Sequence, residues 1–188
     1  MGYLGNQITT VFPTSISVDS ATISGNTTIG GTLGVTGATT LSNQLTDANM
    51  SVGSVIQIIN ASTTSEVSTT GTSFVDSGVT ATITPSSTSS KILVLFTQHQ
   101  FISGAAGESR IKLLRGSTDL LTTGYMVFSS HTSVMAQGTH HYLDSPSTTS
   151  ATTYKVQFNS VDGANVLCNY DDSAGDASSF MTLMEIAQ

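Results

Sequence analysis

The sequence predicts an all-β chain in which a short trimeric β-helical stalk of the hexapeptide type precedes a jelly-roll-like β-sandwich head. Three observations point there. Charged residues make up only 9% of the chain, against about 25% in an ordinary soluble domain, and Ser, Thr and Gly fill the difference. The stretch "ATISGNTTIGGTLGVTGATTLSNQL", residues 21–45, returns an apolar residue every six positions. Past it, short segments rich in Val, Ile and Thr alternate with Ser/Thr/Gly turns, and such residues suit a pleated, half-buried surface. In order, these features divide the 188 residues into a segment at 1–20, a repeat stalk at 21–46 and a head at 47–188.

The opening segment carries Tyr3, Leu4, Ile8, Val11 and Phe12 before a break at Pro13. It is too short to bury those side chains by itself. Docking on another protein hides them, whereas a frayed terminus leaves them in water, so docking is the favoured reading. The segment has neither the charged nor the apolar region of a secretory signal, and Asn6 stands where N-myristoylation wants Ser or Thr.

In the stalk, Ile23, Ile29, Val35 and Leu41 set the beat, with Gly25, Gly31 and Gly37 two places behind the first three. A spacing of six fits neither the 3.6 period of a helix nor plain strand alternation. It fits a three-sided tube in which each short side contributes one inward apolar residue and a Gly-rich corner turns the chain. One chain provides little more than one turn, which would leave most of its backbone N–H and C=O groups without partners. Three copies supply the missing rungs, with the apolar residues meeting on a common axis, and a larger trimeric module must hold them in register. A flexible Gly/Thr linker is the competing reading, but it offers no reason for apolar residues in phase.

In the head, "SVIQII" opens the strands, and "GVTATIT" sets Val79, Ala81 and Ile83 against Thr80, Thr82 and Thr84. The turn "PSSTSS" leads into "KILVLFTQHQFI", whose apolar start predicts a central strand covered on both faces. In "RIKLLR" Ile111 and Leu113 point inward and Arg110 and Lys112 outward, and "YKVQFNSV" alternates in the same way. The closing "SFMTLMEIA" is apolar on both faces and predicts a buried terminal strand whose loss would undo the core. About eight to ten such strands, separated by turns, indicate a sandwich.

Net charge is −7 and no Lys or Arg precedes Lys91. Without a basic patch to neutralise phosphates or an anionic bilayer, neither nucleic acid nor a membrane is expected as a partner. The longest apolar run, "ILVLF", falls far short of the about 20 residues a membrane span needs. Cys168 is a lone strand cysteine with no disulfide or metal set. No GxSxG, GxGxxG, P-loop, HExxH or CxxC occurs, so neither catalysis nor a cofactor is expected. Adjacent strand positions send His140 and His141 to opposite faces, so one chain cannot clamp a metal with both. The loop "NYDDSAGDASS" makes Asp171, Asp172 and Asp176 a calcium candidate, but its spacing is not that of an EF-hand and a solvated acidic turn is favoured. Carboxylates are too sparse elsewhere to face each other across a cleft as glycoside cleavage requires. Recognition without cleavage is better supported: Tyr125, His131, His140, His141, Tyr142 and Tyr170 fall in or near loops as candidate receptor contacts.

"MGYLGNQ" at the start, "ISGNTTIGGTLGVTGATTLS" in the stalk and "SGVTATITPSSTSSKILV" entering the head resemble the modules of tailed-bacteriophage fibre proteins, above all those of marine phages. The resemblance implies a homotrimer in the virion: N-terminal segments fixed to other virion proteins, a short β-helical shaft, and a sandwich tip that meets a host cell-surface receptor such as a glycan. The head also looks like trimeric jelly rolls, which would clamp the threefold register. The shaft is short for a long tail fibre and no enzymatic segment is recognisable. Two placements follow, a tail fibre for host adsorption or a capsid-attached head fibre or decoration protein. A polysaccharide depolymerase with its site between subunits is a third, less favoured reading.

Overall fold

In the computed structural model, residues 34, 36, 50–104, 106–171 and 177–188 are described. The chain divides into two units, Met1–Ser42 and Asn43–Gln188. Of the first, Gly34 and Thr36 are described, and both are exposed. The axis residues Ile23, Ile29, Val35 and Leu41, the docking residues Tyr3, Leu4, Ile8, Val11 and Phe12, and Asp172 and Asp176 of the acidic loop lie outside the described residues.

The second unit is built of strands: β1 (Val55–Thr63), β2 (Val67–Thr69), β3 (Val75–Ile83), β4 (Lys91–Ser103), β5 (Gly107–Arg115), β6 (Thr118–Thr122), β7 (Val127–Ser129), β8 (Ser133–Asp144), β9 (Thr152–Ser160), β10 (Asn165–Cys168) and β11 (Ser179–Ile186). All pairings are antiparallel and they form two sheets. In sheet A, β8 runs along one edge of β4, while β11 and then β10 share the other edge. Beyond these, β1 pairs with β11 and β2 with β10. Sheet B has the order β3, β9, β5, with β7 and β6 dividing the far edge of β5.

Strand alternation makes this a sandwich. Ile92, Val94 and Phe96 of β4 and Met181 and Leu183 of β11 face Val79, Ala81 and Ile83 of β3, Ile111 and Leu113 of β5, and Tyr154, Val156 and Phe158 of β9 in one buried core. Each such side chain taken from water contributes about 1.5–3 kcal/mol. The inward residues expected of "GVTATIT", "RIKLLR" and "YKVQFNSV" are therefore the ones that are buried. Gly78 sits at φ 87° where the pairing of β3 with β9 slips between Asp76 and Thr80, a left-handed position that a glycine takes without a Cβ clash.

Two expectations need correction. Among the described residues there are eleven strands rather than about eight to ten, because pairing with β10 and β5 makes strands of β2 and β7, which at three residues each are too short to show an alternation. Nor is β4 covered on both faces: Ile92 and Val94 are fully buried, but Leu93 and Leu95 on the opposite side are only half-buried. The terminal strand β11 does lie between β1 and β4, yet its outward Phe180 is 48% exposed. Two sheets make two layers, and among the described residues nothing forms a third over the outer face of sheet A.

Candidate functional site

A cluster of exposed aromatic side chains is assembled by the short strand β7. Register places Val127 opposite Ser109 and Phe128 opposite Glu108. Val127 is inward and 4% exposed, so alternation turns Phe128 outward, where it is 70% exposed. Tyr125 lies just before β7, its ring centroid 6.1 Å from that of Phe128 at an interplanar angle of 52°, the tilted arrangement aromatic pairs favour. Tyr125 is held on both sides by backbone bonds to β5: Thr123 N–H donates to Ile111 O at 3.0 Å and Met126 N–H to Ser109 O at 2.8 Å. Phe128 is thus displayed on a strand, and Tyr125 on a segment tied to β5 on both sides.

Period two on β5 brings Glu108 and Arg110 to the same outward side as Phe128. The Arg110 guanidinium carbon stands 5.1 Å from the Tyr125 ring centroid, a cation–π contact. Its Nε is buried without a hydrogen-bond partner. Lys112, Arg115 and Lys155 each pair with a carboxylate, of Asp119, Asp144 and Asp76 respectively. Arg110 has no such pair among the described residues. The cluster therefore offers two aromatic faces, a guanidinium donor and a carboxylate acceptor.

The other candidate contacts are scattered. His131 is exposed, its N–H bonded to Ser129 Oγ at 2.9 Å just after β7, on the same connection as Tyr125 and Phe128. His140 turns inward and stacks on Phe96 with centroids 5.4 Å apart. Burial, followed by the charge of neighbouring His141, holds the His140 imidazole below its ordinary pKa. Tyr142 also turns inward against the core. His141 faces out of sheet A opposite Leu95. Tyr170 stacks on the outward Phe101 at 4.4 Å. Of the six residues, Tyr125 and His131 alone belong to the exposed β6–β8 connection, and Phe128 and Arg110 complete the cluster beside them. Phe128 sits in a segment, "MVFSS", with too little alternation to show which way it faces.

Among the described residues, the polar groups around Cys168 are tied to one another. Cys168 is fully buried, and burial pushes its thiol up to about 12 although Gln100 donates to it. Beside it, Ser109 donates to Gln100 Oε1 at 2.7 Å, Gln98 donates to Ser179 Oγ at 2.9 Å, and Asn169 donates to Ser65 O and Ser77 O. These bonds satisfy polar groups between the sheets. Among the described residues, no group of three or more His, Cys, Asp or Glu is placed to hold a metal ion.

No protein-family model and no curated protein matches the chain. Among solved structures, the chain is similar to the tripod from the baseplate of bacteriophage Tuc2009, with 17% identity and a TM-score of 0.41 over 96% of this chain and 85% of that one.

Proposed function

We propose that this chain is a non-enzymatic structural protein of a tailed-bacteriophage virion, a homotrimeric tail fibre attached through residues 1–20 and contributing to host adsorption through the far end of a jelly-roll-like head. The observation that carries this reading is the polarity of the head. The chain enters at residues 50–54, where Gly53 N–H donates to Ala187 O and Ala187 N–H to Ser54 O, each at 2.9 Å. That end coincides with Lys91, the start of β4, which pairs with Ile186. The 13 residues of β4, at about 3.3 Å each, then carry the chain roughly 40 Å to Ser103. There the chain turns into β5, whose first residues bear β7 and Phe128. Entry and aromatic cluster thus sit at opposite ends, as a protein tethered at one end and binding at the other requires.

A tilted aromatic pair flanked by a donor and an acceptor suits a glycan: ring faces pack on the apolar face of a sugar, while Arg110 and Glu108 reach hydroxyls that both accept and donate. The test is competition. Purified full-length protein, added to host cells before phage, is expected to slow adsorption, and protein carrying Tyr125→Ala with Phe128→Ala to lose at least about ten-fold of that potency while keeping its far-UV circular dichroism. Wild-type protein that leaves adsorption untouched at saturating concentration overturns the receptor-binding reading.

A further inference from the structure

We propose that the outer face of sheet A is the surface through which copies of this chain associate, each head burying that face against the other heads of one assembly. This rests on the homotrimer proposed above and names the face that forms it.

Register builds the surface. Leu93 pairs with Leu143 on one side and with Met184 on the other, and Met184 pairs in turn with Ile58. Four outward apolar side chains therefore form one row across β8, β4, β11 and β1. Leu143 and Ile58 at its ends are 53% and 55% exposed. Leu95 lies two residues along β4, and Phe180, 48% exposed, lies two rows on, opposite Thr97. The rows that hold Leu95 and Phe180 are completed by uncharged polar residues, Asn60, Thr182 and His141 in one and Ser62, Thr97 and Thr139 in the other; an exposed apolar row set in such a face marks a contact surface.

The chemistry of the face selects a copy of this chain as its occupant. Among the described residues, Lys91 at its end is the only ionisable Lys, Arg, Asp or Glu that the sheet A pairing turns outward; Glu185 and Asp144 lie on the inward rows. Sheet B is the opposite case, its outer side carrying the ion pairs of Lys112 with Asp119 and Lys155 with Asp76. Copies of a chain with net charge −7 repel one another, so a face that presents almost no charge is where they meet at least electrostatic cost. A depression lined by Asn60, Ser62, Phe180 and Thr182 between β1 and β11 adds relief for interdigitation.

Size agrees. Strands β8, β4, β11 and β1, of 12, 13, 8 and 9 residues, at about 3.3 Å per residue and about 4.8 Å apart, give on the order of 700 Å², near the roughly 800 Å² each partner buries in a standard stable interface.

The experiment is the solution mass of full-length protein by light scattering, for wild type and for Ile58→Lys with Leu143→Lys. Both positions are more than half exposed in the single head, so lysine is accommodated there, and circular dichroism verifies the fold. Wild type is expected at three times the 19.4 kDa chain mass, and the double variant with its assembly dissociated at least about ten-fold more readily on dilution. Thr82→Lys on sheet B should leave the mass unchanged. Thr97→Cys supplies a second readout: Cys168 is buried, so a maleimide should label the introduced thiol only after denaturation or in the Ile58→Lys, Leu143→Lys background. A monomeric wild type, or a Thr97→Cys that labels freely in the assembly, overturns the proposal. A trimer indifferent to Ile58→Lys with Leu143→Lys overturns the face but leaves the homotrimer standing. A wild-type dimer broken by the same pair upholds the face and overturns the threefold reading.

Discussion

Glu185 shows how much a single buried group can do in a chain with so few charges. It has no exposed surface, and it accepts hydrogen bonds from Gln57 Nε2 at 2.5 Å and from Ser86 N–H and Oγ–H at 2.7 Å each. Burial by itself would raise the carboxyl pKa, but the bonds from Gln57 and Ser86 outweigh it and hold the group below its ordinary 4.5. The unfolded chain then takes up a proton at a pH where the folded chain does not, so the stability this group contributes is complete above 4.5 and fades as pH falls through the folded value. Glu185→Gln should flatten the acid limb of a urea-midpoint profile, and an unchanged slope below about pH 4.5 would remove Glu185 from the account. Steric limits act at the same scale. A Cβ on Gly107 would lie 2.3 Å from Ala164 Cβ, and neither atom is the end of a flexible side chain. Gly107→Ala should cost about 1–3 kcal/mol in a urea melt, as overpacked cores do. None of this is legible in one dimension, since Gln57 is 128 residues from Glu185. Inward and outward positions are legible wherever alternation is regular, as for Val79, Ala81 and Ile83.

Between elements, a charged tie joins the two sheets. Arg115 at the end of β5 places Nη1 2.9 and 2.8 Å from the two carboxylate oxygens of Asp144, the last residue of β8, and Tyr154 OH on β9 donates to the same carboxylate at 2.7 Å. Burial, then the adjoining Asp144 carboxylate, pushes the Tyr154 phenol well above its ordinary range, so it acts as a donor throughout the accessible pH range. Removing one partner of a nearly buried pair costs more than the pair contributes, because the survivor keeps its charge and loses its compensation. Arg115→Met should therefore lower stability by about 3 kcal/mol, and Asp144→Asn in that background should restore part of it. A double variant no better than Arg115→Met alone would show that packing, not charge, is what Arg115 supplies. The elements themselves were easier to read than their partners. "KILVLFTQHQFI" announces a strand, but a run of apolar residues looks the same whether its second face is covered by its own chain or left for another. Phe128 is hidden for a different reason: a three-residue strand takes its orientation from the neighbour it pairs with, and that neighbour is 20 positions away at Glu108.

At the scale of the whole molecule, the scarcity of charge has one physical meaning in the proposed fibre. A surface built from hydroxyls and amides lets three copies of an acidic chain approach along a shaft and across sheet A without facing like charges. The shaft is where this reasoning can be challenged most directly, because Ile23, Ile29, Val35 and Leu41 would each bring three side chains onto one axis. Ile29→Asp would then bury three carboxylates together, at a cost several times that of one unpaired buried charge. The head, held by its own sheet A contacts, should remain associated. Limited proteolysis of the full chain should therefore cut Ile29→Asp within residues 21–46 at least about ten times faster than wild type, while residues 50–188 resist equally in both, with fragments identified by mass spectrometry. Equal cleavage within 21–46 in the two proteins would mean that the repeat does not bury Ile29, and that whatever association exists belongs to the head alone. A head that also falls apart in Ile29→Asp would mean the reverse, that the shaft holds the sheet A faces together and not they the shaft.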